Sequence, residues 1–237
     1  MTTTSIASQN EDELGGPRSV LVRQKRDHVE LDRLLHRIAD AAGPQRQALI
    51  NELCRLVFPH AFAEESVLWP VVRATLTDGE ELTSRIEREH QEVNELFTQL
   101  EQADPDSDTH HALFDQITEL LREDVRDEED DLLPQLQDAF STSQLARLGL
   151  QWEVVRRTAP TRPHPVVARR PPGNVLAALP LTVIDRARDH LDRAARRVSG
   201  SGGDRYRAMS SRLAAVAGRI EHVPLLTRGD RPETHRE

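Results

Sequence analysis

His60 and Glu64 stand four residues apart in the run His60-Ala-Phe-Ala-Glu64-Glu65-Ser-Val-Leu68-Trp-Pro70. A related run, Asp124-Val-Arg-Asp-Glu128-Glu129-Asp-Asp-Leu132-Leu-Pro134, follows later in the chain. On a helix, positions i and i+4 share one face, so each run sets a pair of metal-ligating side chains together. The repetition implies a site with two-fold character. The copies differ where it matters chemically: the leading ligand is His60 in the first and Asp124 in the second. His28 and His90 precede these leading positions by 32 and 34 residues. Each half of the region thus offers one imidazole, then an i, i+4 pair.

Imidazole and carboxylate donors together suit iron, manganese or zinc. Binding needs neutral imidazoles and ionised carboxylates, so affinity should fall on acidification. The acidic neighbours Glu65, Asp127, Glu129 and Asp131 are either outer hydrogen-bond partners of the ligands or a solvated flank.

The elements that must position these groups are helices. Aromatic residues are only 3% of the chain, too few for a typical sheet protein, and Leu, Ala, Glu, Arg and Gln dominate. Apolar stripes at helical spacing predict four long helices, over about 19–42, 44–76, 80–103 and 109–139. They are separated by Gly43-Pro44, Asp78-Gly79 and Asp104-Pro105-Asp106. Pro70 should kink the second helix or end its regular part. Short turns between four helices predict an all-α, up-down-up-down four-helix bundle. His28, His60, Glu64, His90, Asp124 and Glu128 fall on the stripes where Leu or Val belongs. Burying six unpaired ionisable groups costs on the order of several kcal/mol each; a metal centre would satisfy them together.

The rest of the chain divides by composition. Residues 1–18 read as disordered, 19–140 as the bundle and 141–157 as a short fifth helix opened by Ser141. Residues 158–174 read as a Pro-rich extended linker, 175–222 as an Arg-rich helical extension and 223–237 as a disordered tail. The extension's apolar faces are thin: Val183, Ala187, Leu191 and Ala194 on one helix, and Leu213, Val216 and Ile220 on the other.

Several function classes are disfavoured. Cys54 is the single cysteine, which excludes an internal disulfide and a Cys-rich metal site. No apolar run suits a membrane span, and the acidic N-terminus lacks the pattern of a secretion signal, so a cytoplasmic location is expected. Residues 1–158 hold 16 basic and 32 acidic residues, against 15 and 8 in the remainder. The acidic first part makes nucleic acid an unlikely partner. The basic tail, through Arg186, Arg188, Arg193, Arg196 and Arg197, is expected to dock on the acidic bundle or on a protein partner. His36, His110 and His111 read as surface residues, and His164 as part of the linker. No phosphate-binding loop or nucleophile elbow is present. A ferritin-type centre needs two Glu-x-x-His motifs, and only Glu87-Arg-Glu-His90 fits.

A His, then His-x-x-x-Glu, then a His, then a His-x-x-x-Glu-like site on four helices resembles the hemerythrin-like, HHE cation-binding domain family. The resemblance covers about residues 19–140 and includes the Glu-Glu-x-x-Leu-x-Pro ending of helices two and four. The Pro-rich tail is similar to those appended to actinobacterial hemerythrin-domain proteins. The resemblance implies a non-haem di-iron centre. His28, His60 and His90 match its terminal imidazoles, and Glu64 and Glu128 its bridging carboxylates. It also implies a small diatomic or peroxide ligand, in oxygen, peroxide or nitric oxide handling or in sensing, and leaves open whether the protein is an enzyme.

The departure is Asp124, where the family pattern has His. Two Glu and one Asp bring a charge of −3 where the usual set brings −2, which favours ferric iron. Asn94 stands four residues after His90, where oxygen-carrying hemerythrins have a further His. Both differences argue against a plain oxygen carrier. The alternative reading is a mononuclear, other-metal, weak or vacant site in a degenerate domain with an interaction or regulatory role.

Overall fold

The computed structural model describes residues 4–198, 200–229, 231–232 and 234. Those residues form helices and no strands. Helix α1 spans Val20–Ala39, α2 Gly43–Ala63, α3 Trp69–Thr75, α4 Gly79–Gln102, α5 Asp108–Asp127 and α6 Leu133–Ala139. Five-residue segments of wider, π-type winding join α2 to α3 (Glu64–Leu68) and α5 to α6 (Glu128–Leu132). The bundle therefore has four legs: α1, α2–α3, α4 and α5–α6. Helix α7 (Thr142–Thr158) packs on α1 and α2, and α8 (Gly173–Arg197) pairs with α9 (Ser201–Glu221) as a hairpin. The expected all-α bundle with additional C-terminal helices is the observed architecture.

Local chemistry explains the boundaries. The Ser19 hydroxyl accepts from the Leu21 amide at 3.2 Å, and the Ser107 hydroxyl from the His110 amide at 3.2 Å; both satisfy amides that lack a helical partner. Gly43 supplies a φ of 54° ahead of Pro44, a conformation that glycine adopts without strain. The two wide turns have a common cause. Pro70 and Pro134 have no amide hydrogen, and a proline ring collides with the carbonyl four residues back in a regular helix. One extra residue per turn moves that carbonyl aside. The Trp69 amide consequently donates to the Glu64 carbonyl, and the Leu133 amide to the Glu128 carbonyl.

The bundle interior consists of two apolar clusters with a polar layer between them. One cluster holds Leu21, Ala63, Leu68, Trp69, Ile86, Leu132 and Trp152; the other holds Leu31, Leu35, Leu53, Phe97, Ile117 and Leu121. Along each leg the chain passes from one cluster to the other through the predicted ligands. His28 lies between Leu21 and Leu31, and His90 between Ile86 and Val93. At roughly 25 cal/mol per Å² of apolar surface buried, these clusters supply the stability that a polar layer draws on.

Several expectations outside the bundle are corrected. Residues 4–18 are packed rather than disordered: Ile6 and Leu14 are buried, and the Lys25 ammonium donates to the carbonyls of Ala7 (2.7 Å) and Gln9 (2.6 Å). Residues 1–3 lie outside the described residues. The segment expected as an extended linker folds back as a strap with Ala159, Thr161, Arg162, His164 and Val167 buried. Its polar side chains find partners on α8, which is why α8 presents Asp185, Arg188 and Asp189 inward while Val183 stays 69% exposed. Val216 on α9 is exposed as well, and Ala177, Leu181 and Ala217 form the apolar contact instead. Part of the expected disordered tail is also packed. Leu226 is buried, its carbonyl accepts from the Ala168 amide at 3.2 Å, and the Arg228 carbonyl accepts from the Gly173 amide at 3.0 Å. Residues 230, 233 and 235–237 lie outside the described residues. Among the described residues no helix is long and apolar enough to cross a membrane.

Candidate metal centre

All six sequence-predicted residues reach the polar layer. His60 Nε2 lies 2.9 Å from Glu64 Oε1, and His28 Nε2 lies 3.1 Å from Glu128 Oε2. His90 Nε2 lies 3.7 Å from Glu64 Oε2 and 3.6 Å from Asp124 Oδ1. Two overlapping donor triads result, His28–His60–Glu128 and Glu64–His90–Glu128, each with its ligand atoms within 4.8 Å of one another. Glu128 belongs to both triads, and Glu64 touches a histidine of each. Asp124 belongs to neither and borders the second through His90.

Each imidazole is held from behind by a carboxylate. His28 Nδ1 lies 2.9 Å from Glu129 Oε1, His60 Nδ1 3.2 Å from Asp27 Oδ2, and His90 Nδ1 3.0 Å from Glu65 Oε1. An ionised carboxylate only accepts, so each Nδ1 carries a hydrogen and each Nε2 faces the centre; this is the usual support of a metal-bound histidine. Of the four acidic neighbours weighed in the sequence, Glu65 and Glu129 take this part. Asp127 and Asp131 instead pair with Arg85 at 3.0 and 3.2 Å. Asp27 was missed, because a residue adjacent to His28 points about 100° away on a helix and helical spacing does not pair it with His60. The role of Gln24 was also missed. Gln24 lies on the α1 stripe one turn before His28, is fully buried, and donates to Glu64 Oε1 at 2.5 Å.

The wide turns place these acids. Successive residues on a regular helix diverge, yet Glu64 is fully buried and Glu65 is 1% exposed. The π-type winding that begins at Glu64 lets both carboxylates turn inward, Glu64 to the centre and Glu65 to His90. Helix α7 closes one side: Trp152 packs edge-on against His60 with ring centroids 5.3 Å apart, and Arg156 Nη1 lies 3.5 Å from Asp27. Gly149 makes this approach possible, since a Cβ there would collide with the Arg18 carbonyl.

Electrostatics record the crowding. Burial pushes the Glu128 carboxyl up to about 8, reinforced by the charges of Glu64 and Asp124. Burial lowers His28, but its bonds to Glu128 and Glu129 outweigh that and raise it to about 9. Burial likewise opposes protonation of His60 and His90. Glu64 and Asp27 hold His60 well above its ordinary value, and Asp124 and Glu65 do the same for His90.

The residues fit a cation. Glu64 Oε2, Asp124 Oδ1, Glu128 Oε1 and Gln24 Oε1 are buried and make no hydrogen bond, and His28 Nε2 and Glu128 Oε2 have none beyond their own 3.1 Å contact. Buried polar atoms almost always have partners, and so many orphans at one point mark a place for a positive ion. The mixed nitrogen and oxygen donor set matches iron, manganese or zinc. Against the ligands sits a cavity of about 30 Å³ bordered by His28, His60, His90, Leu31, Val93 and Leu121.

The description "Hemerythrin HHE cation binding domain" matches residues 20–136, the span that carries every residue of both triads. The chain contains a hemerythrin-like HHE cation-binding domain. Among curated relatives, an uncharacterised hemerythrin-like protein of Schizosaccharomyces pombe is 25% identical over 155 residues, covering 65% of this chain and 74% of that one. A DNA nickase of Nostoc sp. is 24% identical over 131 residues, covering 55% of this chain and 37% of that protein. No solved structure matches the chain. The hemerythrin-like domain ends at the α6 leg, so the strap, α8 and α9 lie beyond the matched residues.

The other histidines divide in two. His36 is exposed, as expected. His110 is 2% exposed, with Nδ1 3.1 Å from Arg46 Nη1, and burial together with Arg46 lowers its basicity. His164 is also buried, between Asp185 and Glu221 at 3.0 and 2.8 Å. Its surroundings were illegible because both partners lie on helices that the linker reading left remote.

Proposed function

We propose that the hemerythrin-like domain binds iron as a dinuclear non-haem centre and handles or senses a small oxidant: oxygen, peroxide or nitric oxide. His28, His60 and His90 would hold the metal through Nε2, with Glu64 and Glu128 shared between the two positions and Asp124 completing the second. Bound iron would supply one-electron redox chemistry and an open position for a small ligand. The observation that carries this reading is the convergence of three carboxylate-backed imidazoles on two buried glutamates, each with an oxygen that makes no hydrogen bond. A diatomic molecule fits the cavity beside them, which exceeds the roughly 10–15 Å³ that one water needs.

The chain's own residues prepare the site. Asp27, Glu65 and Glu129 fix the tautomer of each imidazole, Gln24 steadies Glu64, and Trp152 shields His60 from water. Asp124 in place of an imidazole adds negative charge, which favours ferric iron and disfavours reversible oxygen carriage. The excess of acid over residues 1–158 argues against carrying the DNA chemistry named for the Nostoc relative to this chain. A cytoplasmic setting suits a chain with one buried thiol.

The test is anaerobic loading of the purified protein with ferrous iron, followed by metal analysis and an absorption spectrum after exposure to air. About two irons per chain with bridged di-iron bands is the expected result. A protein that takes up no iron and whose melting temperature iron leaves unchanged would refute the proposal. A second reading, a mononuclear or weakened centre, is favoured by one observation: Asp124 stands outside both donor triads. One iron per chain decides for it.

A further inference from the structure

The strap, residues 159–170, grips helix α4 on both sides of His90. Asn94, buried one turn after His90, donates through Nδ2 to the His90 carbonyl at 2.8 Å. Its Oδ1 accepts the His164 amide of the strap at 3.0 Å. On the other side of the ring, Glu65 Oε1 lies 3.0 Å from His90 Nδ1 and 3.8 Å from Arg169 Nη1 of the strap. Arg169 is itself 7% exposed, and its Nη2 donates to the carbonyls of His164 and Val167 at 2.8 and 2.9 Å. Arg170 adds a bond to Glu87, one turn before His90, at 2.7 Å. The strap thus holds the imidazole through its Nδ1 partner and its peptide through Asn94.

The opposite face of the strap is bound into the α8–α9 hairpin. The His164 ring is clamped between Asp185 of α8 and Glu221 of α9. Asp185 Oδ2 also accepts the Thr161 and Arg162 amides at 2.9 and 3.0 Å. Arg162 reaches Asp189 at 2.9 Å and Asp192 at 2.6 Å on α8, and Glu101 at 3.2 Å on α4. A continuous set of buried polar contacts therefore runs from the hairpin through the strap to one imidazole of the candidate centre. Such contacts are discrete: they are made, or the strap lifts.

We propose that the strap couples metal occupancy at His90 to docking of the α8–α9 hairpin, with Arg169 and Asn94 as the positioning residues that transmit the coupling. The inference rests on the metal reading above and adds its regulation. A docked strap holds Glu65 and the His90 peptide in place, so ligand geometry is preorganised; outer partners of this kind typically change metal affinity about 10–100-fold. Coupling is reciprocal. Metal on His90 fixes the ring, the ring fixes Glu65, and the strap amides become harder to open. The extension then reports occupancy as a change in its own docking.

The experiment uses the full chain and ferrous iron under anaerobic conditions, with metal affinity and amide hydrogen exchange read on the same samples. Iron is expected to slow exchange at Thr161, Arg162, His164 and Gly173 by about 10-fold, within the usual 5–150-fold range of coupling between sites. Arg169→Ala and Asn94→Ala should each weaken iron binding by about 10-fold and abolish the iron-dependent protection. Arg169→Lys, which retains the charge, should recover most of the affinity. Should wild-type protein bind iron with strap exchange unchanged, or both alanine variants bind it as wild type does, the coupling is overturned and the metal reading stands. Absence of iron binding in the wild type overturns both.

Discussion

In the first half of the bundle, His60 lies 2.9 Å from Glu64, its far nitrogen rests on Asp27, and Trp152 covers the ring. In the second half, Asp124 approaches His90 at 3.6 Å, leaves Oδ1 without a hydrogen bond and has no carboxylate behind it among the contacts that hold the three imidazoles. The backbone is the same in both: a wide turn from the first Glu, closed on the residue before Pro70 or Pro134. The comparison separates two properties that travel together in the sequence. The Glu-Glu-x-x-Leu-x-Pro run builds the turn and delivers a buried carboxylate, whereas the residue four positions earlier selects the ligand chemistry. The second copy keeps the scaffold and changes the donor.

The largest expected effect comes from the group common to both halves. Glu128→Ala should abolish iron retention, exceeding the ~10–100-fold that outer partners cost, and metal analysis after desalting reads it directly. The asymmetry itself is sharpened by a pair of variants. His60→Ala should cost more iron affinity than Asp124→Ala, and Asp124→His should raise affinity by about 10-fold if an imidazole completes the second position as in the first. Equal losses in His60→Ala and Asp124→Ala titrations would show that the two halves bind metal alike.

A third measurement contrasts the bundle with the extension. His164 is raised to about 9, because Asp185 and Glu221 overcome the burial that lowers it. A folded-state value above the unfolded one of about 6.5 stabilises fully below that lower value. The contribution then declines as pH rises and is lost above about 9. Thermal melts of wild type and His164→Gln should therefore converge between pH 6.5 and 9.5. Taking the difference between the two proteins removes the site histidines, which titrate in both. A gap that stays constant over that range would show that the imidazolium is not what clamps the hairpin. The smallest effect belongs to the prolines. Pro70→Ala and Pro134→Ala should each change stability by less than about 1 kcal/mol, since losing the ring's restraint on the unfolded chain is offset by regaining an amide and removing the clash that widens the turn. The melting temperature should then move by no more than ~2–4 °C.

Most of the bundle was legible because its helices obey one rule, an apolar face every three to four residues, and the candidate ligands are the exceptions to that rule. His28, His60, Glu64, His90, Asp124 and Glu128 were found as polar residues on apolar stripes, and all six meet in the interior. The wide turns were visible only as two prolines. Asp27 and the choice of Glu65 and Glu129 over Asp127 and Asp131 were hidden, because they depend on how far each turn is wound. The strap was misread for a different reason. Pro, Arg and Thr suit an exposed linker until Asp185, Asp189 and Glu221 are placed opposite them, and those partners lie 20 or more residues away on another element.

What the sequence determined alone is therefore the fold class, the level in the bundle at which the polar layer sits and the identity of its candidate donors, since these follow from local periodicity and from the cost of burying charge. Tertiary structure decided which acid supports which imidazole, where the two donor triads overlap, and that a polar segment becomes a buried strap over α4. Those outcomes are set by pairings between distant residues, and no local preference encodes a pairing until the elements have packed.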